Sequence, residues 1–178
     1  TRVDGHSIWV NHLALKLSGY DVDNPQTPDG GKIINNCILL DNAMNKIWDA
    51  QPEDSFADVK RWIKTAAYTA CSRGITNVHD AWQDVNTVQA IKELINEDEF
   101  PIRCYGMLAS SDSTLLASFF KNGHYESELY TIRSVKAFID GALGSRGAAL
   151  LKPYSDDHCN CGLILISHED FTQLARKS

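Results

Sequence analysis

The feature that most constrains this chain is the alternation of short apolar runs with amphipathic helical segments between Phe56 and Ile139. Residues 56–72 carry Phe56, Val59, Ile63, Ala66, Ala67 and Ala70 at helical spacing, and Gly74 supplies the stop. Residues 75–78 then read as a short strand. Residues 85–96 read as a helix with Val88, Ile91, Leu94 and Ile95 on one face. A strand at 102–108, a helix at 113–121 and a strand at 132–139 complete the run. Strand and helix in turn are the pattern of βα units around a parallel sheet. An eight-stranded barrel of such units takes about 250 residues. Three units therefore form either a small open α/β sheet or an arc of something larger. A helix begun at 167–178 with no further strand favours the arc.

The N-terminal stretch has a different rhythm. Residues 7–18 read as a helix: Ser7 is placed as an N-cap, Ile8, Asn11, Leu13, Leu15 and Leu17 mix apolar and polar faces, and Gly19 is the stop. Residues 21–31, with Pro25, Pro28 and the pair Gly30-Gly31, form a loop. Two short strands over 32–40 and a short helix over 41–48 follow. The expected division is an α+β segment over residues 1–54, inserted ahead of βα units over 55–178. With 178 residues and 43% hydrophobic content, the chain can bury one sizeable core, or one core and a small satellite.

Composition removes several function classes. A net charge of −6, with no basic run longer than two residues, argues against a nucleic-acid surface. The longest apolar patches, around Cys37 to Leu40 and Ala148 to Leu151, fall far short of the roughly 20 residues that span a bilayer. Five cysteines cannot all pair within the chain, and their scatter does not form a disulfide framework. Reduced thiols and the lack of a signal peptide lead to a cytoplasmic expectation. The chain opens on Thr1 rather than Met, which is read as processing or missing upstream sequence.

The stretch from Ser134 to Gly147, SVKAFIDGALGSRG, carries the most chemistry. Lys136 sits in an apolar run, flanked by Val135, Ala137 and Phe138. A lysine there is neutralised, paired or modified, or else lies at a strand end with its ammonium reaching water or a carboxylate. Asp140 lies four residues on, at the expected C-terminal end of the strand, where barrel enzymes build their sites. Gly141, Gly144 and Gly147 would let the following loop approach a ligand, and Arg146 is placed to bind an anion or polarise a carbonyl.

The string VKAFIDGALGSRGAAL resembles the signature strand of amidohydrolase-superfamily proteins of the YtcJ-like type. DGHSIWVNHLAL at the N-terminus and GITNVHDA at 74–81 are similar to motifs of the same family in the same order, as are ILLDNAM at 38–44 and PYSDD at 153–157. The resemblance covers essentially the whole chain. It implies a TIM-type (β/α) barrel of which this chain would supply strands two to four. It also implies one or two divalent metals, zinc first, at the barrel mouth, bridged by a carboxylated lysine that by motif is Lys136. A small-molecule substrate would be attacked at a C–N bond, with His6 and Arg146 as substrate contacts and His79 and Asp140 facing the mouth.

The departures from that pattern matter as much. No H-x-H pair occurs, and none of His6, His12, His79, His124, His158 and His168 pairs with another at ligand spacing. Metal-assisted hydrolysis needs a fixed shell with an open position for water. The remaining ligands of the family are therefore expected beyond Ser178, and the segment around Ile34 to Cys37 reads as shorter than the family's strand-turn-strand. The expectation is a partial hydrolase, inactive alone and self-associating as a homo-oligomer through open sheet edges. The alternatives are a non-catalytic binding or regulatory module on the same scaffold and a small standalone α/β domain.

Overall fold

A computed structural model describes residues 1–178. In chain order the elements are β1 (Ser7–Trp9), α1 (His12–Leu17), β2 (Gly31–Ile34), β3 (Ile38–Asp41), a 3-10 turn (Asn42–Met44), α2 (Asn45–Asp49), α3 (Phe56–Ser72), β4 (Asn77–Gln83), α4 (Val85–Asn96), β5 (Arg103–Ala109), α5 (Ser113–Asn122), β6 (Tyr125–Glu126), β7 (Tyr130–Lys136), a second 3-10 turn (Leu143–Ser145) and α6 (His168–Lys177). The chain divides into two compact units, one of Thr1–Pro52 with Phe138–Thr172, the other of Glu53–Ala137 with Gln173–Ser178. No helix is long and apolar enough to cross a membrane.

The first unit is built on a three-stranded antiparallel sheet in the order β1-β3-β2. Ser7 lies opposite Leu40 and Trp9 opposite Ile38, so the stretch read as the first turns of a helix is a strand. The helix starts later, at His12, where Asn11 accepts from the Ala14 amide at 2.9 Å as the working N-cap. Gly19, at φ 75, closes it as expected. The expected helix over 41–48 is a 3-10 turn running into the short α2. Val10, Leu15, Tyr20, Leu39, Ala43, Met44 and Ile47 make the core. Burying a leucine such as Leu15 or Leu39 completely stabilises by about 1.5–3 kcal/mol. The Tyr20 hydroxyl is satisfied there by the Ala43 carbonyl at 2.9 Å.

The stretch from Phe138 to Thr172, expected to continue the βα units, belongs to this first unit. Its attachments explain why. Asp140 bridges Ile164, Leu165 donates its amide to the Ile139 carbonyl, and Asn42 donates to the Leu165 carbonyl at 3.3 Å. β7 itself ends at Lys136 rather than Ile139, because the apolar residues that follow have left the ladder.

The second unit holds a four-stranded sheet in the order β4-β5-β7-β6, with β4, β5 and β7 parallel and β6 an antiparallel edge. This is the α/β parallel-sheet class that the alternation implies. Two of its helices match the sequence reading residue for residue because local chemistry specifies them. Ser55 caps α3 through the Asp58 amide, and Asp84 caps α4 through the Thr87 amide. Gly74 at φ 78 ends α3. Ala67 of α3, Val88, Ile91 and Leu94 of α4, and Leu115 and Leu116 of α5 pack on Cys104, Leu108, Tyr130 and Ile132 of the sheet. Strand alternation puts Tyr105 and Met107 on the opposite face, where they are only half-buried.

Candidate functional site

In the first unit the candidate site grows from the Asp4-Gly5-His6 turn. Gly5, at φ 77, lets the chain reverse there, with its amide bonded to the Arg2 carbonyl. Asp4 accepts from the Arg2 guanidinium at 2.7 Å and from the His6 amide at 3.2 Å. Chiefly through the Arg2 bond, and despite some burial, its carboxyl is held at about 2 against an ordinary 3.8; the His6 amide and the Ser145 hydroxyl add to the effect. The turn delivers the His6 ring to Asp41, at the end of β3. Nδ1 lies 2.6 Å from Asp41 Oδ1, with the two side chains 20% and 2% exposed. An ionised carboxylate only accepts, so Nδ1 donates, and in the neutral form of the ring it is Nε2 that carries the lone pair. The Asp41 amide bonds the His6 carbonyl at 3.3 Å, and the Phe138 ring meets the imidazole edge-on at 5.9 Å.

Asp140 and Arg146 are in the same unit and bond to its loop, Arg146 with 46% of its side chain exposed. Asp140 accepts from the Ala149 amide at 3.0 Å. Arg146 makes a two-pronged pair with Asp156, at 3.0 and 2.6 Å, which raises its already high pKa, and Asn160 donates to its carbonyl. Gly141 and Gly162 serve chain-on-chain packing, since a Cβ on Gly141 would meet the Gly147 carbonyl and one on Gly162 would overlap the Ala148 carbonyl, whereas Gly144 has open space around it.

In the second unit Lys136 is the last residue of β7, half-buried and paired with Ala109, and its carbonyl accepts from Ser110 at 3.0 Å. It therefore sits at the C-terminal end of a parallel strand, as the motif implies, and not in the strand's interior. His79 is the third of seven residues in β4, exposed, with its ring 5.2 Å from that of Tyr105. The sequence reading put it at the strand's end; β4 runs on through Gln83. Pairing places His79 beside Tyr105 and Lys136 beside Ala109, on one face but four residues apart along β5, roughly 13 Å. The structure does not bring these two together.

Two features were missed from the sequence. Asp41, which orients His6, closes an apolar strand 35 residues away; its ILLDNAM string is part of the resemblance, but nothing local points to its pairing with His6. The other is a buried polar knot on the helix-covered face of the sheet. Gln83 is fully buried, donates to Asp80 at 2.9 Å and to the Cys104 sulfur at 3.7 Å, and accepts from the Tyr130 hydroxyl at 2.5 Å. Burial, with the Asp80 carboxylate, pushes the Cys104 thiol up to about 11; burial first, then the neighbouring Cys104 and Asp80, raises the Tyr130 phenol further above its usual range. The isolated Gly106 in mid-strand was the available clue, since a Cβ there would strike Gln83.

No three His, Cys, Asp or Glu side chains converge as a metal-holding group. The donors of these 178 residues therefore do not by themselves fit a structural or catalytic metal shell.

A model of the amidohydrolase family matches residues 1–178. The protein LONG AFTER FAR-RED 3 of Arabidopsis thaliana is 31% identical over 99% of this chain and 34% of its own length. YtcJ of Bacillus subtilis (strain 168), an amidohydrolase by name, is 29% identical over 99% of this chain and 35% of its own. The chain thus spans about a third of the length of these curated relatives. Two solved structures share its fold, both titled uncharacterized metal-dependent hydrolases. The one from Pyrococcus horikoshii OT3 is 22% identical with a TM-score of 0.68, over 97% of this chain and 35% of that one. The one from Pyrococcus furiosus is 20% identical with a TM-score of 0.65, over 97% and 36%.

Proposed function

The chain belongs to the amidohydrolase family, and from that premise we propose that it forms part of a hydrolase cleaving an amide-type carbon–nitrogen bond of a small molecule. The observation that carries this reading is the place of Lys136, at the C-terminal end of a parallel strand in a βα sheet, where barrel enzymes assemble their chemistry. In this reading β4, β5 and β7 are an arc of a TIM-type barrel. Lys136, carboxylated, is the group of this chain assigned to a divalent metal, zinc by resemblance. The donors here leave that shell incomplete, so its other ligands belong to further parts of the whole protein, and these 178 residues alone are inactive. His6, Arg146, His79 and Asp140 are assigned to substrate, with Arg146 and Asp140 also holding their own loop through Asp156 and the Ala149 amide.

The test is amine release. The full-length protein is offered a panel of N-acyl and N-formyl amines, with Lys136→Ala alongside. Release by the wild type and its loss in the variant support the reading. No release from any amide would favour the second reading, a non-catalytic binding module on the same scaffold, to which the incomplete donor set also points.

A further inference from the structure

The His6–Asp41 pair carries more than a fold contact. Asp41 is a carboxylate at the tip of a short strand, its side chain 2% exposed, and its one side-chain partner in the structure is the imidazole 2.6 Å away. An ionised carboxylate removed from water is costly unless a donor compensates it, so the Nδ1 proton is held firmly in place. The backbone reinforces this. Asp41 sits at φ 49, in the left-handed region that a non-glycine residue adopts only when its surroundings impose it, and its amide is tied to the His6 carbonyl. The ring also packs against Phe138 at near-perpendicular planes, and its own backbone is held by Asp4, itself anchored through Arg2 and Ser145. The imidazole is therefore fixed in position and tautomer, with one-fifth of its side chain open to solvent.

We infer that Asp41 is a positioning residue that makes Nε2 of His6 a proton acceptor for an N–H or O–H group of a bound small molecule. On accepting the proton from that donor, the ring becomes an imidazolium whose charge the Asp41 carboxylate balances. Nδ1–H stays where it is, and no covalent bond forms between ring and ligand. The inference rests on the reading of His6 as a substrate contact and is independent of Lys136 and of any metal.

The experiment uses the full-length protein labelled with 15N-histidine, the His6 signals being identified by their loss in His6→Gln. At neutral pH the wild type should show a pyrrole-type Nδ1 and a pyridine-type Nε2. A protonated Nε2 would overturn the inference, and this spectrum needs no Asp41 variant. Diethyl pyrocarbonate, which attacks an unprotonated ring nitrogen, then probes Nε2 by peptide mass mapping. In Asp41→Asn the His6 rate should fall on the order of tenfold as the tautomer is released. The exposed His124 should react equally in both proteins. Equal His6 rates in the two proteins would refute the positioning role. Lys136→Ala should leave the His6 spectrum and rate unchanged, so failure of the hydrolase reading and failure of this one are separately visible.

Discussion

Replacing Gly106 by alanine should destabilise the second unit far more than adding a methyl group to a strand normally would. The backbone is not the obstacle, since Gly106 is absent from the positive-φ glycines and a strand interior ordinarily gains from Gly→Ala by about 0.5–1 kcal/mol. The obstacle is Gln83. A Cβ on Gly106 would lie 2.0 Å from its Oε1 and 2.7 Å from its Cδ, well inside any tolerated contact. A surface glutamine would swing aside, but this one is fully buried and held by Asp80, Cys104 and Tyr130. Moving it strands the Tyr130 hydroxyl in a site that is 1% exposed. Overpacking and an unsatisfied buried hydroxyl each cost about 1–3 kcal/mol, so the net loss is about 2–4 kcal/mol. Urea unfolding followed by tryptophan fluorescence measures it. The control is the double variant, because Gln83→Ala removes both clashing atoms. Gly106→Ala should then cost little in that background, giving a coupling of about 2–4 kcal/mol. Equal costs in the two backgrounds would refute the argument, as would a single variant within about 0.5 kcal/mol of wild type.

Two further predictions follow from the titrating groups. Cys104, buried and with its thiol pushed up to about 11, should resist thiol-labelling reagents in the folded protein, while the exposed Cys71, Cys159 and Cys161 react promptly. Mass mapping that found Cys104 labelled before unfolding would contradict its placement. Asp4 has a folded pKa of about 2 against an ordinary 3.8, so the stability it adds is present above 3.8 and is lost as pH falls through about 2. Asp4→Asn should therefore be less stable than wild type near neutrality, with the gap in urea midpoints closing on acidification. A gap that stayed constant or widened would refute the assignment.

What the sequence made legible, and what it did not, divides along the range of the forces involved. α3 and α4 were readable to the residue because caps, spacing and a terminal glycine all act within a few positions. Ser7 looked equally like a cap, yet it lies in a strand opposite Leu40, a pairing that no local pattern encodes. The strand ending at Lys136 was overextended because Ala137, Phe138 and Ile139 continue the apolar run after the ladder has stopped. Among the proposed site residues, Lys136 and His6 were both picked out by motifs of the family resemblance. Asp41 and Gln83 are polar side chains whose partners lie at sequence separations of 35 and 47, and only the fold makes them into a dyad and a knot.

The central claim, that the chain is part of a metal-dependent hydrolase in which Lys136 is a ligand, is tested most directly by the metal content of the full-length protein. The protein is prepared in bicarbonate buffer and measured by elemental analysis beside Lys136→Ala. The account predicts one or two equivalents of a divalent metal, zinc foremost, in the wild type and their loss in the variant. A metal-free wild type, or a Lys136→Ala protein that keeps its metal, would contradict it.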